Sequence, residues 1–211
     1  ARYTFKSDID TLPTFNSDFT YEYTDVNNED GTITRTITSE GLPTSISFSG
    51  ETGLASLSYL NTSSVTDMSC MFEDCYRLTT IDVSNFDTSN VTNMHCMFRE
   101  CQKLASLNVS NWNTSKVADM GYIIYHCRSL KTLSLSSWNF DSVTDTTEMF
   151  YDCFSLVTLD APNMRIPTYG NNFFGVSCPV KYIRANNLDV INTIEPQLKY
   201  ARTSDNPGYI I

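Results

Sequence analysis

Basic residues are scarce in this chain. Fourteen Lys and Arg stand against 24 Asp and Glu, and charged residues of both signs make up only 18%. The net charge is −10 and the pI about 4.5. Such a surface repels phosphate backbones, and no Lys/Arg cluster offsets it, so neither nucleic-acid binding nor docking on an anionic membrane is expected. Glycine is also scarce, at eight residues, and no Gly-rich phosphate loop is present. No stretch approaches the roughly 18 apolar residues of a membrane span, so no direct membrane insertion is expected. There is no G-x-S-x-G, H-E-x-x-H or C-x-x-C, and only two histidines, His95 and His126. The expectation is a protein that is not an enzyme, with no catalytic residues, cofactor or metal. The opening ARYTFKSDID lacks the hydrophobic run of a signal peptide, and the chain reads as a mature or trimmed product with any anchor outside it.

What the chain does have is a period. Cys75, Cys101, Cys127 and Cys153 lie 26 residues apart. Val65, Val91, Val117 and Val143 keep the interval, as do Leu78, Leu104, Leu130 and Leu156. These three columns form the expected structural core ladder, each unit finding apolar partners only in its neighbours. Free cysteines in such a column behave as small hydrophobes. Cys70 and Cys96 make a second, shorter column, and whether they pair is left open.

Two spacings alternate within each unit. Leu107 and Val109 alternate with polar neighbours and predict a short strand, with Ile81/Val83, Leu133/Leu135 and Leu159/Ala161 as equivalents. Val91, Met94, Met97, Phe98 and Cys101 follow steps of three and four, which suit a short helix or 3₁₀ segment. The expected fold class is therefore an α/β repeat solenoid. It is a leucine-rich-repeat-like right-handed coil with a parallel β-sheet face, short helices or 3₁₀ segments opposite, and non-repeat caps at both ends. Residues 1–48 are expected as an N-terminal β-hairpin cap or small β domain, 49–164 as about four 26-residue coils, and 165–211 as a degenerate terminal coil and cap. The alternating segments either side of Asn27-Asn-Glu-Asp-Gly31 predict the hairpin over 19–38. A closing helix is expected within 188–202.

The candidate binding face is the outer side of the expected sheet. Its columns are Thr80, Ser106, Thr132 and Thr158, then Asp82, Asn108, Ser134 and Asp160, then Ser84, Ser110 and Ser136. It is a flat, short-chained polar surface suited to a protein or glycan through many weak hydrogen bonds. Asp67, Asn93, Asp119 and Asp145 share another column, where helix capping is favoured over calcium. The two histidines fall at different repeat positions and read as solvent-facing or at a helix edge. Phe86, Trp112 and Trp138 read as aromatic wedges beneath a turn.

The phrase NTSxVTxMxxMFxxCxxLxxLxVSNFxTS is carried most clearly by 61–75 and 78–113 and covers about residues 54–162. It closely resembles the 26-residue repeat of bacterial surface proteins, the BspA-like leucine-rich repeats of Gram-positive and mycoplasma surface proteins. The resemblance departs at Ile123-Ile124 and at Thr146, and does not reach the flanks. It implies a surface-exposed adhesion or interaction module, extracellular, on a bacterial cell surface or secreted. Such repeats also occur in phage genomes. The alternative is thus a structural or decoration subunit of a cell-surface or virion assembly docking through its flanking segments, with the N-terminal hairpin as the element for self-assembly.

Overall fold

The computed structural model describes residues 2–7, 13–15, 20–39, 41–51, 54–167, 172–175, 178–186, 190, 192 and 209–210. Near the N-terminus, β1 (Arg2–Ser7), β3 (Glu22–Asn27), β4 (Ile33–Thr38) and β6 (Leu54–Tyr59) form one sheet in the order β3-β4-β1-β6. All its pairings are antiparallel. The hairpin between β3 and β4 turns at Gly31, whose φ of 80° suits glycine. Asn28 N–H donates to Thr32 O at 2.8 Å and Asp30 accepts from the Thr32 amide at 3.1 Å, closing the turn. Along β4 the alternation points Arg35 and Ile37 inward, both buried. The Arg35 guanidinium is neutralised by Asp25 on β3, through Nε at 2.7 Å and Nη2 at 2.6 Å. The last strand of this sheet, β6, lies beyond residue 48, and its Leu54 and Leu57 enter the main core. A two-residue pair, β2 (Thr14–Phe15) with β5 (Ile46–Ser47), leads into the repeats.

The 26-residue units lie side by side. Parallel bridges join Ser45 to Asp67, Asp67 to Asn93, Asn93 to Asp119 and Asp119 to Asp145. The expected α/β leucine-rich-repeat-like coil is nevertheless not what forms. The described repeat residues contain no helix and run as turns, short strands and extended links. Where a helix was expected, each unit makes successive β-turns: Met71 N–H donates to Met68 O, Glu73 to Cys70 O and Cys75 to Phe72 O. The N–H groups between them leave the unit. Met68, Cys70, Phe72 and Asp74 donate to Asn93, His95, Met97 and Arg99 of the next unit at 2.8–3.0 Å. A helix needs those donors for itself. It is also barred by backbone twist. Cys70, Asp74, Cys96, Glu100, Tyr122, His126, Glu148 and Asp152 all have φ between 47° and 62°. Left-handed residues at two points in every unit are incompatible with a right-handed helix.

The parallel sheet is shorter than expected too. Strands β7 (Thr132–Ser134), β8 (Thr158–Asp160), β9 (Tyr182–Arg184) and β10 (Tyr209–Ile210) pair in the order β10-β9-β8-β7. The first two units contribute no strand at residues 80–82 or 106–108. A local competition accounts for this. Asp82 and Asn108 accept from the amides of Ser84 and Ser110 at 2.9 and 3.2 Å, drawing the backbone into Asx-turns. The third unit has Ser134 there, whose hydroxyl bonds Ser136 Oγ instead, and Leu135 N–H joins the ladder to Asp160 O at 2.7 Å. The expected closing helix lies almost wholly outside the described residues.

The core is a set of columns running through the stack. The Val, Cys and Leu columns are buried in all four units. Phe48, Phe72 and Phe98 stack at 5.6 and 5.4 Å, and Phe86, Trp112 and Trp138 at 6.1 and 6.0 Å. Each such side chain contributes about 1.5–3 kcal/mol by leaving water. The tryptophan Nε1 groups donate to Val83 O and Val109 O of the preceding unit, so they are wedges inside the core. The column thiols also bond across units. Cys75, Cys101, Cys127 and Cys153 donate to Phe48 O, Phe72 O, Phe98 O and Ile124 O at 3.0–3.2 Å. Buried threonines form rungs: Thr62, Thr88 and Thr114 each donate to and accept from the backbone of Asp87, Asn113 and Asn139, respectively. Thr146 is the exception. It sits in the column of Met68, Met94 and Met120, fully buried, and its hydroxyl has no partner.

Candidate binding surface

Residues of the expected face stand outward. Thr80, Asp82, Ser84, Ser106, Asn108, Ser110, Thr132, Ser134 and Ser136 are exposed, while Thr158 and Asp160 are half-buried. In its middle column Asp82, Asn108, Ser134 and Asp160 each have a neighbouring partner. Hydrogen bonds from Ser84, side chain and then backbone, hold the Asp82 carboxyl below its usual range. Ser134 donates to Asp160 at 3.0 Å, and Arg184 closes on Asp160 with Nε at 2.5 Å and Nη2 at 2.8 Å. The paired groups of that column offer a ligand little that water does not. The Asp67, Asn93, Asp119 and Asp145 column accepts from the amides two residues on, at 2.7–2.9 Å. It fixes turns, with no helix present for it to cap.

The turn side carries a different set. Two residues in each unit are pushed out beside the left-handed positions, and the columns they make are not uniform. One column reads Glu73, Arg99, Tyr125, Tyr151, and the next reads Asp74, Glu100, His126, Asp152. Arg99 donates to Glu73 at 2.5 Å and lies over the Tyr125 ring at 5.5 Å. Tyr125 stacks on Tyr151 at 5.3 Å and on His126 at 4.0 Å. His126 is held between units, Nδ1 facing Glu100 at 2.6 Å and Nε2 facing Asp152 at 3.1 Å. His95 faces Asp119 at 3.1 Å and meets Tyr122 edge-on. Burial pushes the Tyr122 and Tyr125 phenols up, which leaves them neutral donors at any physiological pH. At the outer rim, Tyr76 and Phe154 are 38% and 41% exposed, with Arg128 set 5.3 Å over Phe154.

This ridge of tyrosine, arginine and histidine is legible only down the columns of the repeat, since the two histidines share no column. Reading down from Asp74 through Glu100 to His126 and Asp152 shows a histidine bracketed by carboxylates. Among the described residues one group has metal-ligand chemistry: Cys70, Glu73 and Cys96, with ligand atoms within 4.8 Å of one another. A cleft of about 450 Å³ also opens beside Trp138, Phe140 and Met164, where Phe140 replaces the threonine rung. It is rimmed by the exposed Arg165–Asp141 pair at 3.0 Å.

No helix among the described residues is long and apolar enough to cross a membrane. No curated protein matches the chain, and no solved structure does. Residues 44–160, the stacked units and the segment leading into them, match a protein family. That match covers more than half of the 211 residues, and the chain therefore belongs to the family described as Mycoplasma protein of unknown function, DUF285.

Proposed function

We propose that this chain is a non-enzymatic, extracellular binding module that engages a protein partner through the turn-side ridge. The observation that carries this reading is the partly buried array Arg99, Tyr125, His126 and Tyr151, locked by stacking and ion pairs, with Tyr76, Arg128 and Phe154 at its rim. Tyrosine and arginine are the residues that dominate interface energetics, whereas serine and threonine are under-represented there. Held rigid before contact, they lose little side-chain freedom on binding. The acidic groups around them, Glu73, Asp74, Glu100, Glu148 and Asp152, favour a partner with basic side chains. A low-charge surface rich in Ser, Thr and Asn supports an extracellular setting on a bacterial surface.

The test immobilises the parent and two variants and exposes each to extracellular host proteins. One variant is Tyr125→Ser with Tyr151→Ser; the other carries Asp82→Arg, Asn108→Arg and Ser134→Arg on the hydroxyl face. The expected result is a partner captured by the parent and by the triple variant, and bound at least about tenfold more weakly by the tyrosine variant. Loss in the triple variant alone moves the contact to the hydroxyl face. Equal capture by all three refutes a repeat-surface site.

One observation favours a second reading, a structural subunit. Among the described residues strand β3 is one edge of its sheet, and its Tyr23 and Val26 are 47% and 62% exposed. An exposed apolar edge is a template for adding a strand from another copy. Concentration-dependent mass that Val26→Lys abolishes would favour this reading over the first.

A further inference from the structure

The seven cysteines sort into two chemical classes. Cys75, Cys101, Cys127, Cys153 and Cys178 are buried, and each thiol donates to a backbone carbonyl of the preceding unit. Cys70 and Cys96 are outside that column. They sit on the turn side at φ of 54° and 56°, a conformation an L-residue with a Cβ rarely adopts. The later units put Tyr122 and Glu148 at the same position, so the stack itself does not require cysteine there. Cys70 is half-buried and Cys96 is 7% exposed, which gives the pair an open side and a dry side.

Glu73 completes the group. The two sulfurs and a Glu73 carboxylate oxygen all lie within 4.8 Å of one another. A tetrahedral ion with bonds of about 2.3 Å to sulfur and 2.0–2.2 Å to oxygen holds such ligands roughly 3.5–3.8 Å apart. Side-chain rotation alone covers the difference. Arg99 donates to Glu73 Oε1 at 2.5 Å, the kind of outer hydrogen bond that aims a ligating carboxylate. Two thiolates and a carboxylate carry three negative charges, and Arg99 beside them offsets one. Thiolate ligands select zinc over magnesium or calcium.

We infer that Cys70, Cys96 and Glu73 form a three-ligand zinc site between the first two repeat units, with the fourth position open to water on the Cys70 side. The inference is independent of the ridge as a partner surface, although Arg99 and Glu73 belong to both.

The experiment uses the tag-free, reduced full chain. Calorimetric titration with Zn²⁺ is expected to give one ion per chain. Co²⁺ in its place is expected to give the near-ultraviolet sulfur-to-cobalt band of a thiolate site. Cys70→Ser with Cys96→Ser should abolish both signals, while its thermal unfolding in chelator stays that of the parent. Arg99→Gln, which leaves every ligand in place, should weaken zinc about 10–100-fold. Absence of stoichiometric uptake by the reduced parent overturns the site, as does uptake that survives in the double variant. The cobalt band is read on the parent and stands even where a variant fails to fold. Its absence there overturns the site as well.

Discussion

Thr146 offers the sharpest test of the packing scheme, because two identical substitutions should move stability in opposite directions. Its side chain stands in a methionine column, is fully buried, and has a hydroxyl with no partner. An unmade hydrogen bond in such a place costs about 1–3 kcal/mol. Thr146→Val swaps the hydroxyl for a methyl of similar size, so no cavity or overpacking enters. The expected gain is about 1–2 kcal/mol, or roughly 2–8 °C in Tm for a chain of this size. Thr114 is equally buried, but its hydroxyl donates to Asn139 O at 2.9 Å and accepts from Asn139 N at 2.8 Å. Thr114→Val leaves both backbone groups unsatisfied and should lose about 1–3 kcal/mol. Urea unfolding of the two variants beside the parent, at unchanged m, reads both values. A Thr146→Val protein no more stable than the parent would refute the reasoning, since the hydroxyl would then have a partner.

Two further outcomes follow from buried charge. Val117→Asp places an unpaired carboxylate where the native side chain is 0% exposed, and cooperative unfolding should be lost or fall by several kcal/mol; normal thermal unfolding of that variant would sink the column assignment. In the N-terminal sheet the hydrogen bond from Arg35 holds the Asp25 carboxyl below its usual range. A depressed folded-state value means stability present above the ordinary carboxylate pKa and lost as pH falls through the folded value. Asp25 is about a third exposed, so the effect is modest. Tm profiles of the parent and Asp25→Asn should therefore converge as pH drops from about 5 to about 2; parallel profiles would show that the pair adds nothing.

Much of the packing was legible because a side chain's column depends only on the period. Val91, Cys101 and Leu104 are buried wherever a 26-residue unit stacks in register. The backbone between them was not legible, because the spacing fits two structures. Val65, Met68, Met71, Phe72, Cys75 and Leu78 suit one face of a helix, and they equally suit residues closing successive turns. The difference lies in Cys70 and Asp74, whose left-handed φ carries no glycine to announce it. The strands failed for a related reason. Asp82 and Asn108 look like outward strand residues, yet their side chains capture their own backbone amides. The ridge was hidden because outward helical residues are ordinarily solvated and featureless. Once that segment is a run of turns, Glu73, Arg99, Tyr125 and Tyr151 stand in line, one unit apart.

The hydrogen bonds that leave each unit for the next make the chain divisible. Atoms at equivalent places are joined in the same way at every step: Cys70 to His95, Cys96 to Gly121, Tyr122 to Thr147. Excising residues 87–112 would set the unit before it against the unit after it with the same donors facing the same carbonyls. Backbone economy thus permits the protein to lengthen or shorten by whole units without redesign. What such an edit would not restore is the order of side chains along the ridge. Cys70 would then face Tyr122, and Glu73 would face Tyr125. The scaffold is indifferent to the number of units, and whatever the chain recognises is written in their sequence of appearance.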